Sequence, residues 1–385
     1  MNTMTMNNKL INTRGDMIWA LMAGALCLVG LAGLGNYLLQ GHDAYNVYRQ
    51  VPWGILISTY VFFAVCCTGL CLVSSLGHVF GFKNFEGIGK RAIAMAIIAL
   101  VSGFVVIGLE LGRPLALIYN LLSPNPSAPI WWMGTLYSIY LGVLLVEFTL
   151  MVRGMHKYVG YASLAGFIGG VAANSNLGSV FGLLDARPFW QGPFLPISII
   201  VTAAISGCAI VILLMAHRYA REKMPEDIQR AVTATSKIFA LLLGVLMFFE
   251  FWKVMSAIYG TVPGQYDAMM ILLKGPLAFN YWGLEILLGM VVPFVLLMSS
   301  GGRSLGTAVV AAISTLIGLF FMRYNMVVAG QLVPLRAEVD AVGPSGLLSY
   351  TPSLTEIAIT LGGFGLCLAL YMAADRYFNL DEQGH

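Results

Sequence analysis

The stretch WGILISTYVFFAVCCTGLCLVSSLGHVFG, residues 53–81, contains no Asp, Glu, Lys or Arg. A helix needs about 20 mostly apolar residues to cross the hydrocarbon core of a bilayer, which is roughly 30 Å thick. Residues 53–81 are long enough and apolar enough for one crossing. They predict a membrane-spanning helix, and the sequence on both sides follows the same pattern.

Comparable apolar stretches occur before and after this one, and short segments rich in Gly and Pro, such as SPNPSAP at 123–129, separate them. The predicted helices cover residues 17–40, 53–81, 90–112, 131–152, 158–183, 194–219, 234–259, 277–299, 304–327 and 354–377. No connection between them is long enough to form a soluble domain. The sequence therefore predicts an all-α integral membrane protein of about ten transmembrane helices, with residues 1–385 forming a single membrane domain.

The composition excludes an ordinary water-soluble protein. Hydrophobic residues make up 58% of the chain and charged residues only 10%, whereas soluble domains carry roughly 25% charged residues. The formal net charge of +3 is small and the basic residues are scattered, which argues against a nucleic-acid-binding surface. The lipid bilayer is therefore the expected environment, and nucleic acid is not an expected partner.

A strongly charged connection at residues 215–237 suggests how the helices are grouped. Helices two to five, within residues 53–183, are predicted to form a first four-helix bundle. Helices six to nine, within residues 194–327, are predicted to form a second one. The first and the tenth helix would flank the two bundles.

Lys and Arg residues indicate the orientation, because cytoplasmic loops of membrane proteins carry an excess of them. With the N-terminus inside, 14 of the 21 Lys and Arg residues fall on the inner side and 7 on the outer side. Both termini are therefore predicted to be cytoplasmic. The loops at 113–130 and 184–193 are predicted to lie outside.

Ionisable side chains within the predicted helices are candidates for function, because each costs about 2.5–3.5 kcal/mol to insert. They are His78, Glu110, Glu147, Glu250, Lys253, Glu285 and Arg323. Glu110 and Arg113 are three residues apart and share one helix face. They form either a local ion pair or one polar wall of a ligand pocket.

Aromatic and charged residues accompany Glu110 and Arg113 at the predicted outer ends of helices two to five. They are Trp131, Trp132, Asp185, Arg187 and Trp190. Tryptophans at this depth commonly anchor a helix at the membrane surface. Indole rings beside hydrogen-bonding groups would equally suit an aromatic ligand with two carbonyl groups. The polar stretch at 174–179 allows the same two readings, as part of such a pocket or as hydrogen bonds between helices.

Four polar residues lie at increasing predicted depth from the outer to the inner side: Glu110, Tyr140, Glu147 and His78. Their order is compatible with a proton path and equally with a buried structural network. The spacing of residues along separate helices does not decide between these two alternatives.

In the second bundle, Glu250 and Lys253 are three residues apart on one helix and are predicted to pair. Glu285 and Arg323 could join them, and a structural network is the favoured interpretation. Charges at mid-membrane also occur in secondary transporters, and a secondary transporter is therefore the alternative function.

Motifs for metal and haem ligation are not found in the sequence. The six cysteines form no CxxC or CxxCH pair, and no predicted helix carries two of the five histidines. No metal site, haem or iron–sulfur cluster is therefore expected in this chain. Redox chemistry would require a partner protein and a bound diffusible cofactor.

Two short motifs resemble those of a known family. LELGRP at 109–114 and ARPFW at 186–190 resemble the NrfD/PsrC family of membrane subunits, related to the membrane subunit of polysulfide reductase. HVFGFKNFE at 78–86 and the ten-helix layout are most similar to the longer branch of the family, the HmcC/DsrP type. The resemblance covers residues from about 50 to 330.

The resemblance implies a haemless quinone-binding subunit of a respiratory complex in the bacterial inner membrane. Such subunits exchange electrons between a quinone, with menaquinone favoured, and a periplasmic ferredoxin-like iron–sulfur subunit. That subunit in turn serves a multihaem cytochrome c or a molybdopterin-type enzyme. Coupling to proton movement is a further expectation. The family's quinone pocket lies near the outer face of the first four-helix bundle, on the side where charge counting places the LGRP and ARPFW loops.

Position and resemblance together define the candidate site. Glu110 is the expected catalytic acid–base group. The expected quinone contacts are Arg113, Trp131, Trp132, Tyr137, Asn176, Asp185, Arg187 and Trp190. The proton-path candidates are His78, Tyr140 and Glu147.

Overall fold

The computed structural model describes residues 14–112, 117–336 and 346–381. Within these residues, all ten predicted membrane segments are helical, and nine helices are long and apolar enough to cross a membrane. The remaining helix, His156–Gly182, is 27 residues long, but its Asn, Ser, Lys and Gly residues lower its hydropathy. The predicted all-α integral membrane fold is therefore confirmed.

The bounds of the helices follow the prediction closely. In chain order they are α1 (Arg14–Gln40), α2 (Ile55–His78), α3 (Glu86–Glu110), α4 (Leu117–Leu122), α5 (Pro129–Val152), α6 (His156–Gly182), α7 (Phe194–Arg218), α8 (Glu226–Gly260), α9 (Gln265–Leu273), α10 (Asn280–Ser300), α11 (Leu305–Leu332) and α12 (Leu354–Tyr377). The short helices α4 and α9 were not predicted. They lie in connections between the long helices.

Helix α2 is the innermost helix of the described chain. It packs against α3, α6, α7, α11 and α12, and 83% of the residues in its most apolar 18-residue stretch are buried. Helix α1 packs against α12 at the periphery, and only 11% of the residues in its most apolar 18-residue stretch are buried. The uniform hydrophobicity of residues 53–81 therefore reflects a helix surrounded by other helices.

Helix α8 begins eight residues earlier than predicted, at Glu226 rather than at residue 234. Pro225 precedes the helix, and Glu226 and Asp227 lie in its first turn, where carboxylates interact favourably with the helix dipole. Asp227 also pairs with Arg230 at 2.7 Å. The charged residues that were interpreted as a connection therefore form a solvated helix start, and the connection shortens to residues 219–225.

Helix α7 contacts the helices on both sides of it. It packs against α2 and α6 in one direction and against α8 and α11 in the other. Its closest approach is to α2, where a Cβ added at Gly207 would overlap the backbone of Gly69. The grouping of residues 53–183 and 194–327 into two bundles with separate roles stays a prediction.

Charged residues tie the C-terminal segment to the body of the protein. Arg91 on α3 is 3% exposed and donates to the hydroxyl of Tyr371 and the carboxylates of Asp375 and Asp381. Arg218 at the end of α7 also pairs with Asp381, at 2.8 Å. We call these five residues the C-terminal clasp. It joins α3, α7 and α12 at one end of the molecule.

Candidate functional site

A buried polar column runs between α5 and α6. At one level, the hydroxyl of Ser163 donates to Glu147 Oε1 at 2.5 Å, and Glu147 is completely buried. The other oxygen, Oε2, has no hydrogen-bond partner among the described residues. It lies beside Gly166, where an added Cβ would come within 2.9 Å of it. Because Gly166 has no side chain, the carboxyl group of Glu147 fits against α6 at this position.

Nearer the other end of the column, two buried tyrosines of α5 face α6. The hydroxyl of Tyr137 donates to Asn174 Oδ1 at 3.1 Å, and Asn174 donates to the carbonyl of Ile199 on α7 at 3.4 Å. Tyr140 lies between Tyr137 and Glu147, and its hydroxyl is next to Gly170. The interface thus holds Tyr137, Tyr140 and Glu147 on one face of α5, with one turn between the tyrosines and two turns between Tyr140 and Glu147.

Two further buried polar side chains, Thr135 and Asn176, lie near the N-terminal end of α5, each two residues from Tyr137 or Asn174 and therefore on a different face of its helix. The pairs Glu147–Ser163 and Tyr137–Asn174 set the antiparallel register, and this register places Thr135 level with Asn176. Thr135 Oγ1 and Asn176 Oδ1 are both buried, and neither has a hydrogen-bond partner among the described residues. Buried polar atoms of this kind are uncommon in native proteins and call for an explanation.

His78 lies at the opposite end of the molecule, at the end of α2. Its ring rests against α3, where a Cβ added at Gly89 would overlap the imidazole. Its carbonyl oxygen is next to Gly160 of α6. Of the predicted proton-path residues, Tyr140 and Glu147 therefore share one interface, whereas His78 lies between α3 and α6 near the surface.

Glu110 lies among residues that follow α1. It is 6% exposed, and its Oε2 has no partner among the described residues. Its backbone carbonyl is hydrogen-bonded to His42 at 2.9 Å, and the hydroxyl of Tyr45 donates to the carbonyl of Leu109 at 3.1 Å. Burial raises the pKa of Tyr45, and the negative charge of Glu110 raises it further. Arg113, the predicted partner of Glu110, lies outside the described residues.

A second buried carboxyl, Glu356 at the start of α12, stands near this group, and both of its oxygens are occupied. Oε1 accepts from Tyr350 at 2.6 Å, and Oε2 accepts from the backbone N–H groups of Asn46 and Ser353. Glu356 therefore holds the segment after α1 against α12. Glu110 differs from it in having an oxygen, Oε2, that no donor among the described residues satisfies.

Arg187 and Trp190 form a separate group that faces α11. Arg187 donates to backbone carbonyls in the last turn of α11, including Val333 at 2.7 Å. The indole nitrogen of Trp190 donates to the carbonyl of Met326 at 2.7 Å, and its ring packs against Trp53. These side chains use their donors to hold α11 in place.

The remaining predicted contacts lie at the surface or close to it. Asp185 is exposed and accepts a hydrogen bond from Gln191 at 3.0 Å. Trp132 is 40% exposed and donates to the carbonyl of Pro126, and its ring meets that of Trp131 edge-on. Among the described residues, the predicted acids, arginines and tryptophans thus lie in three places: Glu110 beside the segment after α1, Arg187 and Trp190 against α11, and the others at or near the surface.

The predicted pair in the second bundle is confirmed, since Lys253 Nζ lies 3.0 Å from Glu250 Oε2. Glu285 accepts from Asn325 at 2.7 Å, and Glu285 lies in a π-helical segment of α10, Asn280–Val291. These residues and Arg323 line a cavity of about 20 Å³, enough for roughly one water molecule.

Arg323 connects this cluster to the first bundle. Its guanidinium donates to the hydroxyl of Thr202 on α7. Thr202 lies one turn from Ile199, whose carbonyl accepts from Asn174. A continuous set of polar contacts therefore joins the two sets of helices across α7.

Sequence reasoning missed Thr135, Thr202 and Asn325 as members of these polar groups. Each is a neutral polar residue in a mostly apolar helix, and the Ser and Thr residues among such positions most often bond to a carbonyl of their own helix. Only the packing of neighbouring helices distinguishes Thr135, with its unpartnered hydroxyl, from Ser175, which donates to Val171 of the same helix.

Comparison with known proteins shows similarity to membrane proteins of reductase complexes. The family described as "Polysulphide reductase, NrfD" matches residues 43–335. A selenate reductase subunit of Mesobacillus selenatarsenatis is 23% identical, over 94% of this chain and 94% of that protein. The Hdr-like menaquinol oxidoreductase integral membrane subunit of Archaeoglobus fulgidus is 22% identical, over 92% of each chain.

A third relative, from Halobacterium salinarum, is named as a putative dimethyl sulfoxide reductase membrane subunit and is 23% identical over 94% of this chain and 91% of that protein. These relatives are matched over nearly their whole lengths, and the family match covers most of the described helices. The chain is therefore an oxidoreductase-complex membrane subunit, and it belongs to the NrfD family of polysulphide reductase membrane proteins.

Proposed function

We propose that this chain is the haemless quinone-binding subunit of a respiratory complex, exchanging electrons between a quinone and a periplasmic iron–sulfur subunit. Menaquinone is the favoured quinone, and one relative is named as a menaquinol oxidoreductase subunit. The observation that carries the proposal is that two buried polar atoms, Thr135 Oγ1 and Asn176 Oδ1, have no hydrogen-bond partner among the described residues. A multihaem cytochrome c or a molybdopterin-type subunit would complete the complex.

The chemistry of this pair suits a quinone. A quinone carries two ring carbonyls that accept hydrogen bonds, and it supplies a carrier for two electrons and two protons when bound. The hydroxyl of Thr135 is a donor, and the amide of Asn176 offers both a donor and an acceptor. Trp131 lies one turn before Thr135 on the same face of α5, so an aromatic ring borders Thr135.

Glu110 is the proposed acid–base group. Interconversion of quinone and quinol moves protons as well as electrons, and a side chain within hydrogen-bond reach must take or give them. Glu110 is buried, and one of its carboxylate oxygens has no donor among the described residues, which supports a role in binding a proton or a ligand. Arg113, which follows at the end of α3, is proposed to contact the quinone headgroup.

Tyr140 and Glu147 are proposed to move protons along the α5–α6 interface, and His78 is proposed to exchange them at the opposite end. Glu147 supports this role because only one of its oxygens is satisfied, by Ser163. A carboxyl with a free oxygen can take up a proton without breaking an existing contact. Loss of proton uptake, with electron transfer retained, is the expected effect of Glu147→Leu in vesicles containing the complex.

Arg187, Trp190, Asp185 and Trp132 are proposed to shape the partner-binding surface. Arg187 and Trp190 fix the loop at 184–193 to α11. Together with the loops at 41–52 and 113–130, this surface would dock the iron–sulfur subunit on the outer side of the membrane. Labelling of Asp185→Cys by an impermeant thiol reagent from the cytoplasmic side alone would contradict this orientation.

The test uses the assembled complex and measures quinol-dependent electron transfer. Thr135→Val and Asn176→Leu should each raise KM for quinol about tenfold, because each removes one hydrogen bond to a hydroxyl group of the quinol. Glu110→Gln keeps the size of the side chain and should lower kcat by roughly 10²-fold, as expected for one acid–base group. The two classes of variant therefore separate binding from proton transfer.

Ser175→Ala is the matched control for Asn176→Leu, because the Ser175 hydroxyl already donates within α6 to Val171. It should leave both constants unchanged. Wild-type kinetics in Glu110→Gln across pH would make Glu110 a structural residue. If a complex with all its copurifying subunits transfers no electrons from any quinol, the proposed function itself is wrong.

A further inference from the structure

An apolar groove lies between α8 and α10, on the same end of the molecule as the C-terminal clasp. Its cavity is about 680 Å³, within the roughly 300–1,000 Å³ usual for small-molecule sites. Its walls are mostly apolar, with Leu241 and Phe248 from α8 and Phe294 and Met298 from α10. No residue of this groove takes part in the proposed redox site.

The length of the groove corresponds to one leaflet of a bilayer. It follows α8 from Lys237 to Phe248, a distance of about 16 Å at 1.5 Å per residue. Half of the hydrocarbon core measures about 15 Å. Gly244 has no side chain, which leaves the middle of the groove open. A Cβ added there would lie 3.6 Å from the ring of Phe294, at ordinary contact distance.

One end of the groove is basic. The turn from α10 to α11 has two glycines with positive φ, Gly301 and Gly302, and Gly302 packs against the stem of Lys237. Arg303 directly follows Gly302 in this turn, so its backbone lies close to Lys237 at the same rim. Both side chains are exposed, and neither forms a hydrogen bond or ion pair with another described residue. Helix α11 begins two residues after Arg303, so the positive end of its dipole lies at the same rim.

We propose that this groove binds one anionic phospholipid, with an acyl chain between α8 and α10 and the phosphate on Lys237 and Arg303. The apolar walls match the chain, the length matches one leaflet, and two unpaired cations at the polar end match the headgroup charge. The charge count of the sequence places this rim on the cytoplasmic side, where anionic lipids attract basic residues. A neutral quinone headgroup would leave both cations without a partner.

The experiment incorporates the full-length chain into bilayers of equal parts phosphatidylglycerol and phosphatidylcholine, extracts it in mild detergent and counts bound lipids by native mass spectrometry. Wild type should retain one phosphatidylglycerol. The double variant Lys237→Gln/Arg303→Gln should lower its affinity about thirtyfold, as two cations near a lipid surface predict. Gly244→Leu should also reduce retention, because it fills the groove without changing the charge.

Lys157→Gln is the matched control, because Lys157 is an exposed lysine at the same end of the molecule but on α6. It should retain phosphatidylglycerol as wild type does. The proposal is overturned if wild type shows no preference for phosphatidylglycerol, or if Lys157→Gln loses the lipid to the same extent. It is also overturned if added menaquinone displaces phosphatidylglycerol from wild type, and if Gly244→Leu prevents this displacement whereas the double variant does not. The groove would then be a quinone site. Should Gly244→Leu fail to fold, the double variant alone decides.

Discussion

At the scale of single residues, Arg187 caps the C-terminal end of α11, a helix that lies far from it in the sequence. The last carbonyls of α11 have no partner within the helix, and the guanidinium donates to those of Gly330, Gln331 and Val333. It also donates to the carbonyl of Gln50. A planar group with five donors can serve several carbonyls at once, whereas an ammonium group acts as a point charge.

Arg187→Met should lower the stability of the purified chain by about 2–3 kcal/mol, the value for losing hydrogen bonds to a charged group. Arg187→Lys should restore only part of this loss. Thermal unfolding in detergent is the measurement, and Arg153→Met, at an exposed arginine after α5, is the control. Equal melting temperatures for Arg187→Met and Arg153→Met would show that the contacts to α11 contribute nothing.

At the scale of helices, the contact between α2 and α7 depends on two glycines. Gly69 and Gly207 face each other so closely that a Cβ on either one would overlap the backbone of the opposite helix. Small residues allow such close approach in membranes, where packing rather than water drives helix association. This contact sets the distance between α2 and α7, and α6, which carries Asn174, packs against both of these helices.

Gly207→Ala should therefore force α2 and α7 apart and cost about 3 kcal/mol, the upper end for overpacking a core. Gly142→Ala is the control, because nothing lies within 4 Å of a Cβ at that position on α5. It should be neutral or slightly stabilising. The interpretation fails if both alanine variants melt at the same temperature as wild type.

At the scale of the whole molecule, the C-terminal clasp links the last described residues to helices formed much earlier in the chain. Burial by itself would raise the pKa of Asp381, but hydrogen bonds from Arg218 and Arg91 outweigh it and hold the pKa below its ordinary value. A carboxyl with a lowered pKa binds its proton less readily in the folded than in the unfolded state. It therefore stabilises the fold above the unfolded pKa of about 3.9.

This sign predicts how the stability depends on pH. Wild type should be more stable than Asp381→Asn by a constant amount above about pH 5, and the difference should shrink as the pH falls below about 4. Melting temperatures of both proteins across this range provide the measurement. Asp227→Asn is the control, since its pair with Arg230 is exposed and should contribute little at any pH. A difference between wild type and Asp381→Asn that does not become smaller between pH 5 and pH 3 would contradict the prediction.

The candidate site could be predicted only in part. Tyr137, Tyr140 and Glu147 are spaced along one helix, and their common face follows from helical periodicity. Trp190 and Arg187 stand in a motif, but the motif does not reveal that their donors are directed at the carbonyls of α11. Thr135 was not recognised, because an isolated threonine in an apolar helix looks the same whether or not its hydroxyl finds a partner.

The sequence by itself determined that this protein is a bundle of membrane helices, where most of these helices begin and end, and to which family it belongs. These properties depend on local quantities: the length of apolar stretches, the positions of Gly and Pro, and short motifs. Only the tertiary structure decided which polar groups meet, because contacts such as Arg323 with Thr202 and Arg91 with Asp381 join residues more than a hundred positions apart. In the bilayer every helix is apolar outside, so hydrophobic periodicity gives little information about which faces pack together.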